Sequence, residues 1–246
     1  MKKLIGVALL TLCPLIVFAQ DAKKEPKKET INTYRVLVKD GHAAAFKAAL
    51  ASHAQKYHTG GWKWRVSEVV SGPDEGTYMI LEGPNSWTEL DGRGDLGAEH
   101  MKDYETNILP HVEKTMPALY ATYQPDLSTV APGAFSNKTL IRHLYIKPAH
   151  GPLAMDSLKI WKKVWEKRGQ NVGVWTSFFS GENQIILSFR LKDGWKDLDA
   201  DGISFRDAFK ELYGPDAYLN TYAEMAKHFD KIVDEMTEYR PELSSK

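Results

Sequence analysis

Read for alternation of apolar and polar positions, the chain falls into two runs with the same order of elements. In the first, residues 33–39 (TYRVLVK) alternate with period two and are rich in β-branched and aromatic side chains, which predicts a strand. Residues 42–58 place Ala45, Phe46, Leu50, His53 and Tyr57 near helical spacing, and Gly60-Gly61 stops the helix. Residues 62–70 and 77–81 alternate again on either side of a turn with Gly and Pro, a hairpin. Ser86 caps a short helix with Trp87 and Leu90, and a longer helix is expected from Gly97 to near Tyr120, bent at Pro110. The second run repeats the order: strand 140–147, helix 153–167 with Leu158, Trp161 and Trp165 on one face, and hairpin 172–179 with 184–191. A short helix at Trp195 and helices 204–213 and 217–235 follow.

Two landmarks tie the runs together. Residues 120–128 (YATYQPDLS) match 236–244 (MTEYRPELS) at an offset of 116, and 86–94 (SWTELDGRG) match 194–202 (GWKDLDADG) at 108. Matched landmarks in the same order read as an internal duplication of about 100 residues. Each copy reads β-α-β-β-α with a last short edge strand in the Tyr-x-Pro-acid-Leu-Ser segment. Apolar residues on both hairpin faces imply a sheet covered by helices on one side and by a second sheet on the other.

The repeated order, with a Trp-bearing short helix after each hairpin, resembles the dimeric α/β-barrel (ferredoxin-like) superfamily, over 32–128 and 139–244. That superfamily includes antibiotic-biosynthesis monooxygenases, haem-degrading monooxygenases, chlorite dismutases and NIPSNAP-type proteins. The resemblance implies an α+β fold: tandem duplicated ferredoxin-like repeats whose two antiparallel sheets pack together as an α/β barrel. The expected division is a signal peptide over 1–19, a charged tether over 20–31, repeats over 32–128 and 139–246, and a linker over 129–138.

Composition narrows the function. Lys2 and Lys3, the apolar stretch 5–18 and the small residue Ala19 read as a cleavable secretory leader, so a periplasmic or secreted protein is expected. The single cysteine, Cys13, lies in that leader, which removes disulfides and thiolate chemistry. The remainder carries 30 basic against 32 acidic residues with no basic stripe, arguing against nucleic acid. No later apolar run is long enough to span a membrane.

Three constellations are candidates for chemistry. By resemblance to haem-handling members, which hold iron through a helical histidine with a tryptophan upstream, His100 after Trp87 is the first. Asp197, Asp199 and Asp201 before Gly202 resemble half of a calcium loop, or else a polar turn capping the next helix. The third is a barrel interior lined by His143, Tyr145, Trp64 and Trp175, with Val36 aligned to His143 and Arg35 to Arg142 at an offset of 107. His53 and His58, five apart, diverge on a helix, and no metal site is expected. The leading expectation is a module enclosing a small apolar or aromatic ligand, as a monomer or homodimer. A cofactor-independent or haem-linked monooxygenase, and a structural or protein-interaction role without a small ligand, stay open beside it.

Overall fold

The computed structural model describes residues 27–199 and 202–246; the leader expected over 1–19 lies outside them. The strands are β1 (Thr30–Val38), β2 (Trp64–Ser71), β3 (Tyr78–Asn85), β4 (Val112–Thr115), β5 (Leu119–Tyr123), β6 (Lys138–Ile146), β7 (Val172–Ser177), β8 (Gln184–Leu191) and β9 (Phe229–Tyr239). The helices are α1 (Ala43–Tyr57), α2 (Trp87–Asp91), α3 (Ala98–Asp103), α4 (Gly151–Lys167), α5 (Phe205–Tyr213) and α6 (Ala217–Ala226). The strand order β3-β2-β9-β6-β8-β7-β5-β1 closes through β1–β3 pairing into an antiparallel barrel of eight staves. β4 continues the edge that β5 leaves on β1. The protein is thus an α+β barrel with its helices outside. The two four-stranded sheets join edge to edge through β2–β9 and β5–β7 into one closed wall. The Tyr-x-Pro segments therefore lead out of interior staves, where edge strands were expected.

Two helix expectations fail. The helix from Gly97 ends at Asp103, widens into a π turn over Tyr104–Ile108 and gives way to strand at Val112. Pro110 has no amide proton to continue it. The helix expected over 217–235 stops at Ala226, and β9 begins at Phe229. Val233, Glu235 and Thr237 alternate inward there, and β2 and β6 both need this stave to satisfy their backbone groups.

Period two sends one set of side chains into the barrel and the other under the helices. The outer wall of the first half packs Val36, Trp64, Val66 and Ile80 against Phe46 and Leu50 of α1. That of the second half packs Leu144, Val174 and Leu187 against Leu158, Trp161 and Trp165 of α4. Each half's outer core also takes a leucine from the other half's Tyr-x-Pro segment. Leu127 lies in the core under α4, and Leu243 in the core under α1. The serine after each leucine ties down the same stave: Ser128 Oγ accepts from Val174 N and Ser244 Oγ from Val66 N, both at 2.9 Å. The matched sequence segments are reciprocal latches.

Candidate functional site

The strands alternate in direction, so the C-terminal ends of β1 and β6 share one mouth of the barrel with the N-terminal ends of β8 and β9. Inside is a cavity of about 500 Å³. Its waist is apolar: Ile31, Ile141, Trp175 and Ile186 belong to one buried cluster. Polar groups gather towards the two ends.

At the first end Glu235 is buried, and its Oε1 accepts from Arg35 Nη2 at 2.5 Å and from His143 Nε2 at 3.0 Å. His143 Nδ1 lies 2.8 Å from Gln184 Oε1, and Arg35 also pairs with Asp74. Burial alone would raise the Glu235 carboxyl. The hydrogen bond from His143 and the charge of Arg35 outweigh it and hold the group below its ordinary range. Tyr145 completes this end, its ring 4.0 Å below the Lys231 ammonium.

At the other end Arg65 and Arg190 face inward, with no carboxylate beside either among the described residues. Burial lowers both, and Arg190 falls to about 10, chiefly through burial with the like charge of Arg65 adding to it. The Nε of Arg190 is buried without a hydrogen-bond partner. Gly173 makes room for it: a Cβ there would meet Trp175 Nε1 at 3.3 Å and Arg190 Nη2 at 3.4 Å. Four cations, Arg35, Arg65, Arg190 and Lys231, line the cavity against two carboxylates, Asp74 and Glu235.

The expected lining residues divide. His143, Tyr145 and Trp175 line the cavity; Trp64 and His100 do not. Trp64 lies on the outer face of β2, its ring stacked 3.4 Å from that of His58. Arg65, its neighbour, takes the inward position. The register expected for the first strands is off by one residue. Val36 packs outward, and Arg142 pairs at 2.7 Å with Asp234 on the outer face. Arg35 and His143 are the inward pair, at an offset of 108. The sequence left open which face of this strand looks inward; the helices take Tyr34, Val36 and Val38 on the outside. Sequence reading missed Arg65, Arg190 and Glu235. An arginine in an alternating strand, twice, was the available signal.

His100 lies under α1 against His53 and His58, all three buried. Its ring centroid is 4.9 Å from that of His53 and 5.5 Å from that of Tyr57. Haem iron needs an open face as broad as the porphyrin, and this packed position provides none, so no haem step is assigned to it. Trp87 is far from this role too, half exposed and packed on Tyr120. In the suggested calcium loop, the Asp197 carboxylate accepts from Asp193 N at 3.0 Å, Ser204 caps α5, and Asp201 lies outside the described residues.

No family model matches the chain, and no curated protein resembles its sequence. Solved structures do resemble it. An anthrone oxidase-like protein superposes with a TM-score of 0.55 at 11% identity, covering 87% of this chain and 92% of that one. A provisionally named monooxygenase from Fusobacterium nucleatum gives 0.54 at 12%, covering 85% and 91%. Another from Lactobacillus acidophilus gives 0.52 at 9%, covering 89% and 96%. At these identities the likeness establishes the fold alone. This chain is an α/β barrel with the architecture of the dimeric α/β-barrel proteins, closed within one polypeptide.

Proposed function

We propose that the protein binds a small aromatic organic anion inside the barrel. The observation that carries this reading is the pair Arg65 and Arg190, partly buried beside an apolar waist, with Arg190 Nε buried and unpaired and no carboxylate among the described residues to neutralise them. Buried charge without a partner is costly, and an anionic ligand removes that cost on arrival. Trp175 and the isoleucines would hold a ring while the arginines hold its acidic group. The test is titration of the purified chain with 2-naphthoate and with neutral 2-naphthol, followed by tryptophan fluorescence. The carboxylate should bind at least ~10-fold more tightly, and Arg190→Met should erase that preference. Equal affinity for both probes in the unaltered chain would refute the reading.

A monooxygenase reading stands second, supported by the fold shared with proteins given that name and by the His143–Glu235 pair. An acidic CH2 of a bound ligand would lose a proton to that pair and react with O2, giving C=O and one water. Both nitrogens of His143 are engaged in the structure, so Gln184 would first have to release Nδ1. Oxygen uptake with anthrone that survives His143→Ala would rule this out.

We also propose that the halves are duplicated ferredoxin-like repeats and that the chain works after export. The orders β5-β1-β3-β2 and β9-β6-β8-β7 and the reciprocal latches support the first. So do two matched histidine contacts, His42 to His111 at 2.9 Å and His150 to His228 at 3.0 Å. The leader pattern over 1–19 supports the second.

A further inference from the structure

Three histidines converge on the outer wall beneath α1 from three separate elements. His53 comes from α1, His58 from the residue that caps its C-terminus, and His100 from α3. One ring nitrogen of each lies within 4.8 Å of one from each of the others. His58 does not diverge from His53 as helical spacing would require. The chain leaves the helix there, with ψ at 76°, and the ring turns back onto Trp64.

We propose that His53, His58 and His100 form a binding site for a single first-row divalent cation of the zinc class. His58 Nε2 and His100 Nε2 face each other at 3.2 Å. Two nitrogens bound to one tetrahedral zinc stand about 3.3 Å apart, because each lies about 2.0–2.1 Å from the ion. The pair is therefore already spaced for a shared ion. His53 Nε2 is buried without any hydrogen-bond partner, a cost the fold bears for nothing unless something else meets it.

Two of the three outer nitrogens are held as metal-binding imidazoles usually are, while His100 Nδ1 is buried without a partner. His53 Nδ1 is 2.7 Å from the Asp103 carboxylate, and His58 Nδ1 is 3.2 Å from the Trp62 carbonyl. Each such acceptor fixes the proton on Nδ1 and leaves Nε2 free to coordinate. An all-imidazole set suits zinc, copper, nickel or iron and does not suit calcium or magnesium. Three protein ligands leave the fourth position for water. Asp103, which holds His53, also lines a surface groove of about 270 Å³ with Ser52, Thr106 and His111.

The test uses the full chain stripped with a chelator and titrated with zinc alone, then with cobalt as a spectroscopic substitute. One zinc per chain is expected, along with an intense visible cobalt spectrum of four-coordinate character. His53→Leu and His100→Ala should each weaken zinc binding at least 100-fold, and Asp103→Asn about 10- to 100-fold. Far-UV circular dichroism and naphthoate binding in the cavity report that each variant remains folded. Less than a tenth of an equivalent of zinc on the unaltered chain would overturn the proposal. So would zinc that persists in folded His53→Leu and leaves with His42→Ala or His150→Ala, the more exposed end of each matched pair.

Discussion

Under α4 the barrel wall is sealed by Ala154, Leu158, Trp161 and Trp165, with Phe209 and Met225 behind them. Under α1 the positions 108 residues earlier carry Phe46, Leu50, His53 and Tyr57, with His58 and His100 alongside. Both faces close the same kind of wall against the same kind of helix. The second half shows that a seal without titratable side chains is compatible with this geometry, with Trp161 Nε1 the polar atom it buries unpaired. The imidazoles of the first half are therefore not demanded by the fold, and their buried nitrogens make that face costlier to build.

The comparison can be pressed by mutation, starting with the largest effect. Trp165 is almost wholly buried, and Trp165→Ala should cost about 3–5 kcal/mol in urea unfolding, since it leaves a large cavity. His53→Leu, measured without metal, should change stability by about 1 kcal/mol or less, because it removes an unsatisfied nitrogen as well as a hydrogen bond. A loss as large as that of Trp165→Ala would mean that the histidine face is structural after all.

The smallest effect is in the pH profile. Burial lowers His53 from 6.5 to about 4, against the opposing hydrogen bond it donates to Asp103 and with help from the neighbouring histidines. The unfolded chain then binds the extra proton between those values, so stability is fully present above about 6.5 and declines as the pH falls towards 4. Urea midpoints from pH 7.5 to 4.5 should show this decline, and His53→Leu should flatten it. The carboxyls of Asp103, Glu82 and Glu235 are all held low, so whatever they contribute is lost only at more acid pH.

Local pattern made much of this barrel legible. Strands, hairpins, α1 and α4 follow from periodicity, and Ser86 was legible as the cap of α2, to which the structure adds Glu89 as the second half of a capping box. The failures share one cause. Residues 229–239 form a stave because β2 and β6 lie on either side, and the facing of strand 33–39, which the sequence left open, is set by the helices that take its apolar side. Such choices depend on partners far away in sequence. The same holds for the sites. His58 and His100 are 42 residues apart, and Glu235 joins Arg35 across 200, so no local spacing could announce either group.

The reciprocal latches have a consequence for the order of events in folding. The core around Phe46 is not complete until Leu243 arrives, and the core under α4 needs Leu127 from the other half. During synthesis the first half therefore emerges with an open seam that only a segment nearly two hundred residues later can close. Such long sequence separations slow folding, because chain closure precedes the contacts that reward it. The two halves should accordingly melt as one cooperative unit, and neither should fold when expressed alone.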